Sequence, residues 1–342
     1  MMRYQVIVCC LGLLVLSVQA AVPAAAQSAR SAVTLAAVVE EAQSLEPLET
    51  LIVAQHGGIL IEQGFRGHAT TRPTNVKSVS KSIISALVGI AIDKGVLPGP
   101  EAKIAPLLAD KLPADPDPRI RDITIGNLLS MQAGLARTSG ANYGRWVASR
   151  DWVAAALAQP FADDPGAGML YSTGNSHLLS AILTRATGRS TLALARDWLA
   201  PLQDFAIADW MRDPQGIYFG GNQMAMTPRA MLAFGELYRN GGRAGGEQVL
   251  SAEWIETSWR PRTRSVFHDD LYGYGWFLTQ MSGERVAYAW GYGGQMIYVV
   301  PGLELTVVMT SAEDQPSART GHRDDLHRLM RRIVAAVKAE RA

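Results

Sequence analysis

The feature that most constrains this chain is the run Ser78 to Asp93, which is apolar almost all the way round yet opens on Ser78-Val79-Ser80-Lys81. Val79, Ile83, Ile84, Leu87, Val88, Ile90 and Ala91 cover most of a helical surface, and a helix apolar over so much of its circumference is a buried one. Ser78, Lys81, Ser82 and Ser85 fall at i, i+3, i+4 and i+7 and form a single polar stripe carrying one charge. Residues three apart on a helix are neighbours, so the Ser78 hydroxyl and the Lys81 amine lie side by side. A serine alcohol becomes a useful nucleophile when a base takes its proton, and burial disfavours a charged lysine enough to make it that base. Any fold built on this chain must therefore hold the Ser78 helix at its centre and leave its N-terminal end accessible.

Bulk composition excludes several function classes. The 342 residues carry a net charge of +1, with 48% hydrophobic and 18% charged residues. That is ample material for a large core. No basic cluster suggests nucleic-acid binding or an anionic membrane surface. At the N-terminus, Arg3 precedes the apolar stretch Val6–Leu16, and small-residue cleavage options follow at Val18-Gln19-Ala20 and Ala24-Ala25-Ala26. This pattern predicts a signal peptide over residues 1–26, a periplasmic or secreted mature protein, and no stable membrane insertion after cleavage. The chain has two cysteines, Cys9 and Cys10, both inside the apolar stretch, so the mature protein would hold no disulfide. His56, His68, His177, His268, His322 and His327 show no metal-binding spacing, and no cofactor motif is present.

Local patterning predicts a helix at Thr34–Ser44 and a hairpin of Leu51–Gln55 and Ile59–Gln63 around His56-Gly57-Gly58. The Ser78–Asp93 helix comes next. A proline-rich stretch follows from Val96, then helices at Thr124–Gln132, Arg150–Leu157, Ser176–Thr187, Thr191–Leu199 and Pro228–Tyr238, the last capped by Thr227. A short helix is expected near Glu253. Strands are expected at Gly275–Gln280, Arg285–Trp290, Gln295–Val300 and Leu303–Thr310, and a final amphipathic helix at Arg323–Lys338. Strands at both ends with helices between imply an α+β fold. Its antiparallel sheet would come from residues 27–95 and 223–342, with residues 96–222 inserted as a helical lobe and a cleft where the two meet.

Two further stretches join the serine and lysine as candidates. Tyr171-Ser172-Thr173 precedes the Ser176 helix, and a tyrosine facing Ser78 could relay its proton. Trp290-Gly291-Tyr292-Gly293-Gly294-Gln295 enters a strand, where glycines let a substrate backbone approach and an N–H could complement that of Ser78 in binding an oxyanion. His177, on an apolar helix, reads as a core histidine. Trp210, Tyr218 and Phe219 flank Asp213-Pro214-Gln215-Gly216 and read as packing residues, with the lining of an apolar cleft as the alternative.

The order of these stretches resembles the serine β-lactamase-like superfamily, which contains class C β-lactamases, D-alanyl-D-alanine carboxypeptidases and esterases. Within it the chain is most similar to the 6-aminohexanoate-dimer hydrolase type. The resemblance rests on Ser78–Ser82, Ile123–Met131, Tyr171–Leu179, Asp213–Gly216, Met226–Arg229 and Gly291–Gln295, and spans about Leu48 to Ile333. It implies an acyl-enzyme on Ser78, with Lys81 as base and Tyr171 as second proton-transfer group. It also implies oxyanion or substrate contacts from Gly293, Gly294, Gln295, Thr173 and Asn175. Two departures stand out. Thr173 occupies the place of the usual asparagine, and Gly291 or Tyr292 that of the cation opening the third motif. The expected substrate is a small ester, amide or short peptide-like molecule. A β-lactamase or D-alanyl peptidase is the alternative, and a non-catalytic sensor of cell-wall fragments is a third reading.

Overall fold

The structure, a computed structural model, describes residues 34–340. The expected signal peptide and both cysteines lie outside the described residues.

Eight strands form one antiparallel sheet: β1 (Leu48–Gln55), β2 (Gly58–Gly64) and, from the C-terminal part, β8 (Thr263–Arg264) to β13 (Leu305–Ser311). Between these last two come β9 (Leu271–Tyr272), β10 (Phe277–Met281), β11 (Glu284–Gly291) and β12 (Gln295–Val300), and the spatial order is β2-β1-β13-β12-β11-β10-β9-β8. N- and C-terminal strands meet at β1–β13, where Ile52 pairs with Val308 and Val53 with Val307. A second sheet joins β3 (Thr74–Asn75), β4 (Ile207–Trp210) and β5 (Met224–Met226), while β6 (Arg243–Ala244) and β7 (Glu247–Gln248) make a small hairpin.

The helices are α1 (Leu35–Ser44), α2 (Ser80–Asp93), α3 (Ile125–Leu129), α4 (Tyr143–Val147), α5 (Trp152–Leu157) and α6 (Thr173–Thr187). They continue with α7 (Thr191–Trp198), α8 (Pro228–Arg239), α9 (Ala252–Ser258), α10 (Ser317–Thr320) and α11 (His322–Ala339). Both faces of the large sheet are covered, which explains why β12 and β13 are buried at every position and not at alternate ones. Leu51, Val53, Tyr288, Tyr298 and Val307 pack with Val38 of α1 and Leu329 and Ile333 of α11. Ile52, Ala54, Ala289, Ile297 and Val308 face the other way and share one core with α2, α6 and α8. That core is continuous with Leu128, Trp146 and Leu178 of the helical segment.

Several boundaries differ from the sequence expectation. The β1–β2 turn is His56-Gly57, both with positive φ (51° and 80°), and Gly58 already belongs to β2. Two successive positive-φ residues give the twist that a two-residue hairpin needs. Helix α6 begins at Thr173, three residues before the apolar pattern starts, because its first N–H groups find side-chain partners in another loop. Helix α3 is limited to Ile125–Leu129 by a capping box of Thr124 and Asn127 at its start and by Met131, at φ 64°, beyond its end. Gly275, at φ 79°, is a turn residue, and β10 starts at Phe277.

Candidate active site

Ser78 sits in a turn of 3₁₀-helix, Lys77–Val79, which leads directly into α2. The helical backbone is continuous, so the i, i+3 relation between Ser78 and Lys81 survives although α2 itself starts two residues later than expected. Lys77 holds φ at 50°, a left-handed conformation that a non-glycine residue adopts only where the surroundings enforce it. Its N–H is held by Asn75 Oδ1 at 3.0 Å, and its ammonium by Glu313 at 2.5 Å. The strain lies immediately before the serine and fixes the direction in which Ser78 leaves the β3 strand.

The polar stripe of the helix is dry. Ser82 Oγ donates to Gly275 O (2.6 Å) and Ser85 Oγ to Tyr274 O (2.8 Å), tying α2 to the turn before β10. Ser78 is half-buried, at the open end of the stripe, while Lys81 is 3% exposed.

Lys81 Nζ has three polar neighbours: Ser78 Oγ at 2.9 Å, Gly221 O at 2.7 Å and Thr173 Oγ1 at 3.4 Å. No carboxylate is among them, and burial alone lowers the amine from its usual value near 10.5 to about 7. An uncharged lysine amine has two N–H donors and one lone pair. Gly221 O can only accept, and Thr173 Oγ1 is a second acceptor, so the two hydrogens have partners and the lone pair is left for Ser78.

Tyr171 is buried beside this pair, its ring centroid 5.1 Å from Lys81 Nζ. Burial pushes its phenol up to about 12, opposed by a hydrogen bond with Ser78. Phe267 packs edge-on against its other side, with centroids 5.1 Å apart. The tyrosine therefore keeps its proton at neutral pH, within hydrogen-bonding reach of Ser78.

Helix α6 presents Thr173 through a reciprocal cap. Ser139 Oγ accepts from Thr173 N (2.8 Å), Thr138 Oγ1 accepts from Gly174 N (2.8 Å), and Ser172 Oγ accepts from Thr138 N (3.1 Å). Loop residues 138–139 thus satisfy N–H groups that a helix start leaves open. Ser139 Oγ also lies 3.0 Å from Thr173 Oγ1, extending the polar chain from Lys81 towards the surface. Asn175 is buried in the same first turn with its N–H on Ser172 O, and Thr173, not Asn175, reaches Lys81.

Against the other side of Ser78 comes the end of β11. A Cβ on Gly291 would stand 2.4 Å from Val76 O and 3.2 Å from Lys77 Cβ, so only glycine lets the strand end reach the serine turn. Residues 293–295, the expected oxyanion contacts, build the turn behind it. Gly294 N–H is taken by Gly291 O (3.1 Å), and Gly293 lies against Ala312. The Gln295 side chain is wholly buried and bridges to Ser311, Nε2 donating to Ser311 O at 2.6 Å. Within this turn the Gly294 N–H is already taken, and Gly291 is the residue that meets the serine turn.

Residues 42–330 match the beta-lactamase family model. The chain belongs to the beta-lactamase family. It is a serine hydrolase of that family, with the mixed fold and the sequence motifs expected of one. Among curated relatives it is 25% identical over 302 residues to the 6-aminohexanoate-dimer hydrolase of Paenarthrobacter ureafaciens, covering 80% of this chain and 75% of the relative. Its fold is similar to a penicillin-binding protein homologue from Caulobacter crescentus (TM-score 0.69, 18% identity, 88% and 97% of the two chains). It is equally similar to EstCE1, described as a hydrolase with promiscuous acyltransferase activity (TM-score 0.69, 18% identity, 87% and 98%). Among the described residues no helix of this family member is long and apolar enough to cross a membrane.

Three features of the site escape sequence reading. Gly221, which supplies a carbonyl to Lys81, and Thr138 and Ser139, which cap α6, lie outside the motif stretches and far in sequence from the residues they contact. The doublet Gly220-Gly221 is the one local signal that a backbone passes close to something there.

Proposed function

We propose that this protein is an exported hydrolase of neutral esters or amides that works through an acyl-enzyme on Ser78. The observation carrying this reading is Lys81 Nζ at 2.9 Å from Ser78 Oγ, buried and without an acidic partner. Ser78 Oγ attacks the substrate carbonyl carbon while its proton passes to the Lys81 lone pair. The tetrahedral intermediate then expels the alcohol or amine, which takes a proton delivered through Tyr171 and Lys81. A water molecule, deprotonated by the same groups, attacks the acyl-serine ester and frees Ser78 and the acid. For the oxyanion we assign the N–H of Ser78 and that of Tyr292, the residue beside Gly291 at the serine turn.

Substrate neutrality is supported by the fate of the nearby cations. Lys77, the cation adjacent in sequence to Ser78, is occupied by Glu313 at 2.5 Å. Arg229 is held bidentately by Glu62 at 2.6 and 2.9 Å, and Arg212 stacks on Tyr218. Lys77 and Arg229 are thus already paired with carboxylates, and neither is free to grip the carboxylate of a β-lactam or peptide.

Incubation with a fluorophosphonate followed by peptide mass spectrometry tests the assignment. The adduct is expected on Ser78, absent in Ser78→Ala, with p-nitrophenyl butyrate turned over far faster than nitrocefin. Turnover by Ser78→Ala equal to that of the native protein would overturn the acyl-enzyme, and faster nitrocefin cleavage would return the β-lactamase alternative.

A further inference from the structure

Behind Lys81 lies an acid–histidine pair for which the reaction above has no use. His177 of α6 and Asp213 both have fully buried side chains, with Nε2 and Oδ2 3.0 Å apart. The second carboxylate oxygen, Oδ1, accepts from Gln215 N and Ile217 N, each at 2.8 Å, so Asp213 is fixed within its own turn. His177 Nδ1 accepts from Gly220 N–H at 3.4 Å. That acceptor role places the ring hydrogen on Nε2, facing Asp213. Trp146, Trp152 and Phe219 stand edge-on around the imidazole, with centroids 5.9, 5.6 and 5.7 Å away, and leave it no room to turn over.

The residue after Gly220 is the one whose carbonyl accepts from Lys81 at 2.7 Å. The Gly220-Gly221 strap is wedged between α6 and the lysine. A Cβ on Gly220 would stand 2.1 Å from Ser176 O, and one on Gly221 2.9 Å from Lys81 Cγ. Strap position therefore decides where one of the two amine hydrogens points, and hence where the lone pair points.

We propose that His177 and Asp213 are positioning residues for Lys81. The carboxylate selects the histidine tautomer, the histidine sets the Gly220-Gly221 strap, and the strap carbonyl aims the lysine lone pair at Ser78. This rests on the reading of Lys81 as the base. The strap is also held by Trp210 Nε1 donating to Phe219 O (2.8 Å) and Ser180 Oγ donating to Tyr218 O (2.7 Å), so the pair adjusts a segment that other bonds keep folded.

Asp213→Asn tests it with almost no change in volume. Oδ1 can still accept from Gln215 and Ile217, but the new amide donates towards Nε2. The ring hydrogen must then move to Nδ1, where it opposes the Gly220 N–H. His177→Asn removes more volume, yet can keep an acceptor near the place of Nδ1. Groups facing Lys81 are Ser78 from the 3₁₀ turn, Tyr171 from the segment before α6, Thr173 from its first turn, and Gly221 from the strap. Of these Tyr171 alone also titrates, near 12, so a limb of the rate profile near neutrality reports Lys81.

The expected result is that Asp213→Asn, folded by circular dichroism, loses about tenfold or more in kcat against p-nitrophenyl butyrate at little-changed KM and shifts the midpoint of its pH profile. His177→Asn should keep the native midpoint and more of the activity, despite a larger fall in Tm. A merely structural pair gives the opposite order of harm. Native kcat and midpoint in folded Asp213→Asn would overturn the proposal. If Lys81→Arg is as active as the native enzyme, the base assignment itself fails; if Lys81→Arg is dead while Asp213→Asn is unaffected, the positioning role alone falls.

Discussion

At the scale of single residues, the site depends on an amine whose hydrogens are spoken for. Lys81 is surrounded by one carbonyl and two hydroxyls, and the carbonyl belongs to a glycine that no other residue can replace without strain. Gly221 holds φ at 94°, and an added Cβ would lie 2.9 Å from Lys81 Cγ and 3.1 Å from Nζ. Gly221→Ala should therefore displace the lysine and lower kcat/KM by about 10²-fold with the far-ultraviolet circular dichroism unchanged. Retention of native kcat/KM would show that the Gly221 carbonyl does not orient the amine. Ser78, Lys81 and Tyr171 were legible because a local pattern carries them: a three-residue helical spacing on a dry helix and a tyrosine at a helix entrance. Gly221, Thr138 and Ser139 were not, because their partners are 34 or more residues away in sequence and no periodicity encodes such a meeting. Thr173 stood in the substrate set by analogy of position, and its side chain is also a neighbour of the base.

At the scale of elements, α2 is the pivot, and its packing is tight enough to invert an ordinary rule. Replacing glycine by alanine inside a helix is worth about 1 kcal/mol of added stability in general. Gly89 faces Trp254 so closely that a Cβ would stand 2.4 Å from the indole ring. Gly89→Ala should instead destabilise by about 1–3 kcal/mol through overpacking, measurable as a lower midpoint in urea. A raised midpoint would mean that α9 yields freely. Strand and helix identities followed from apolar period, and Gln295–Val300 matched β12 at both ends. Ends were misjudged where side chains from elsewhere cap a helix, as Thr138 and Ser139 do for α6, or where a positive φ ends a run, as at Met131 and Gly275.

At the scale of the molecule, the two cores on either side of the large sheet give the site its rigidity and its dryness. The same desolvation that sets Lys81 near 7 raises Tyr171 to about 12, so one environment prepares a base and preserves an acid. The sequence could show that α2 would be buried, since its apolar surface demands it, but not that Lys81 would lack a carboxylate partner, which is a property of the assembled fold. The pH dependence of kcat/KM for a neutral p-nitrophenyl ester, compared between native protein and Lys81→Arg, addresses this directly. Protonation removes the lone pair, so the native rate should rise with pH through a midpoint near 7 and level off above it. The arginine variant, protonated throughout, should fall by about 10²- to 10⁴-fold. A native profile that stays flat from mildly acid to alkaline pH, or a Lys81→Arg variant of undiminished rate, would contradict an uncharged lysine as the base for Ser78.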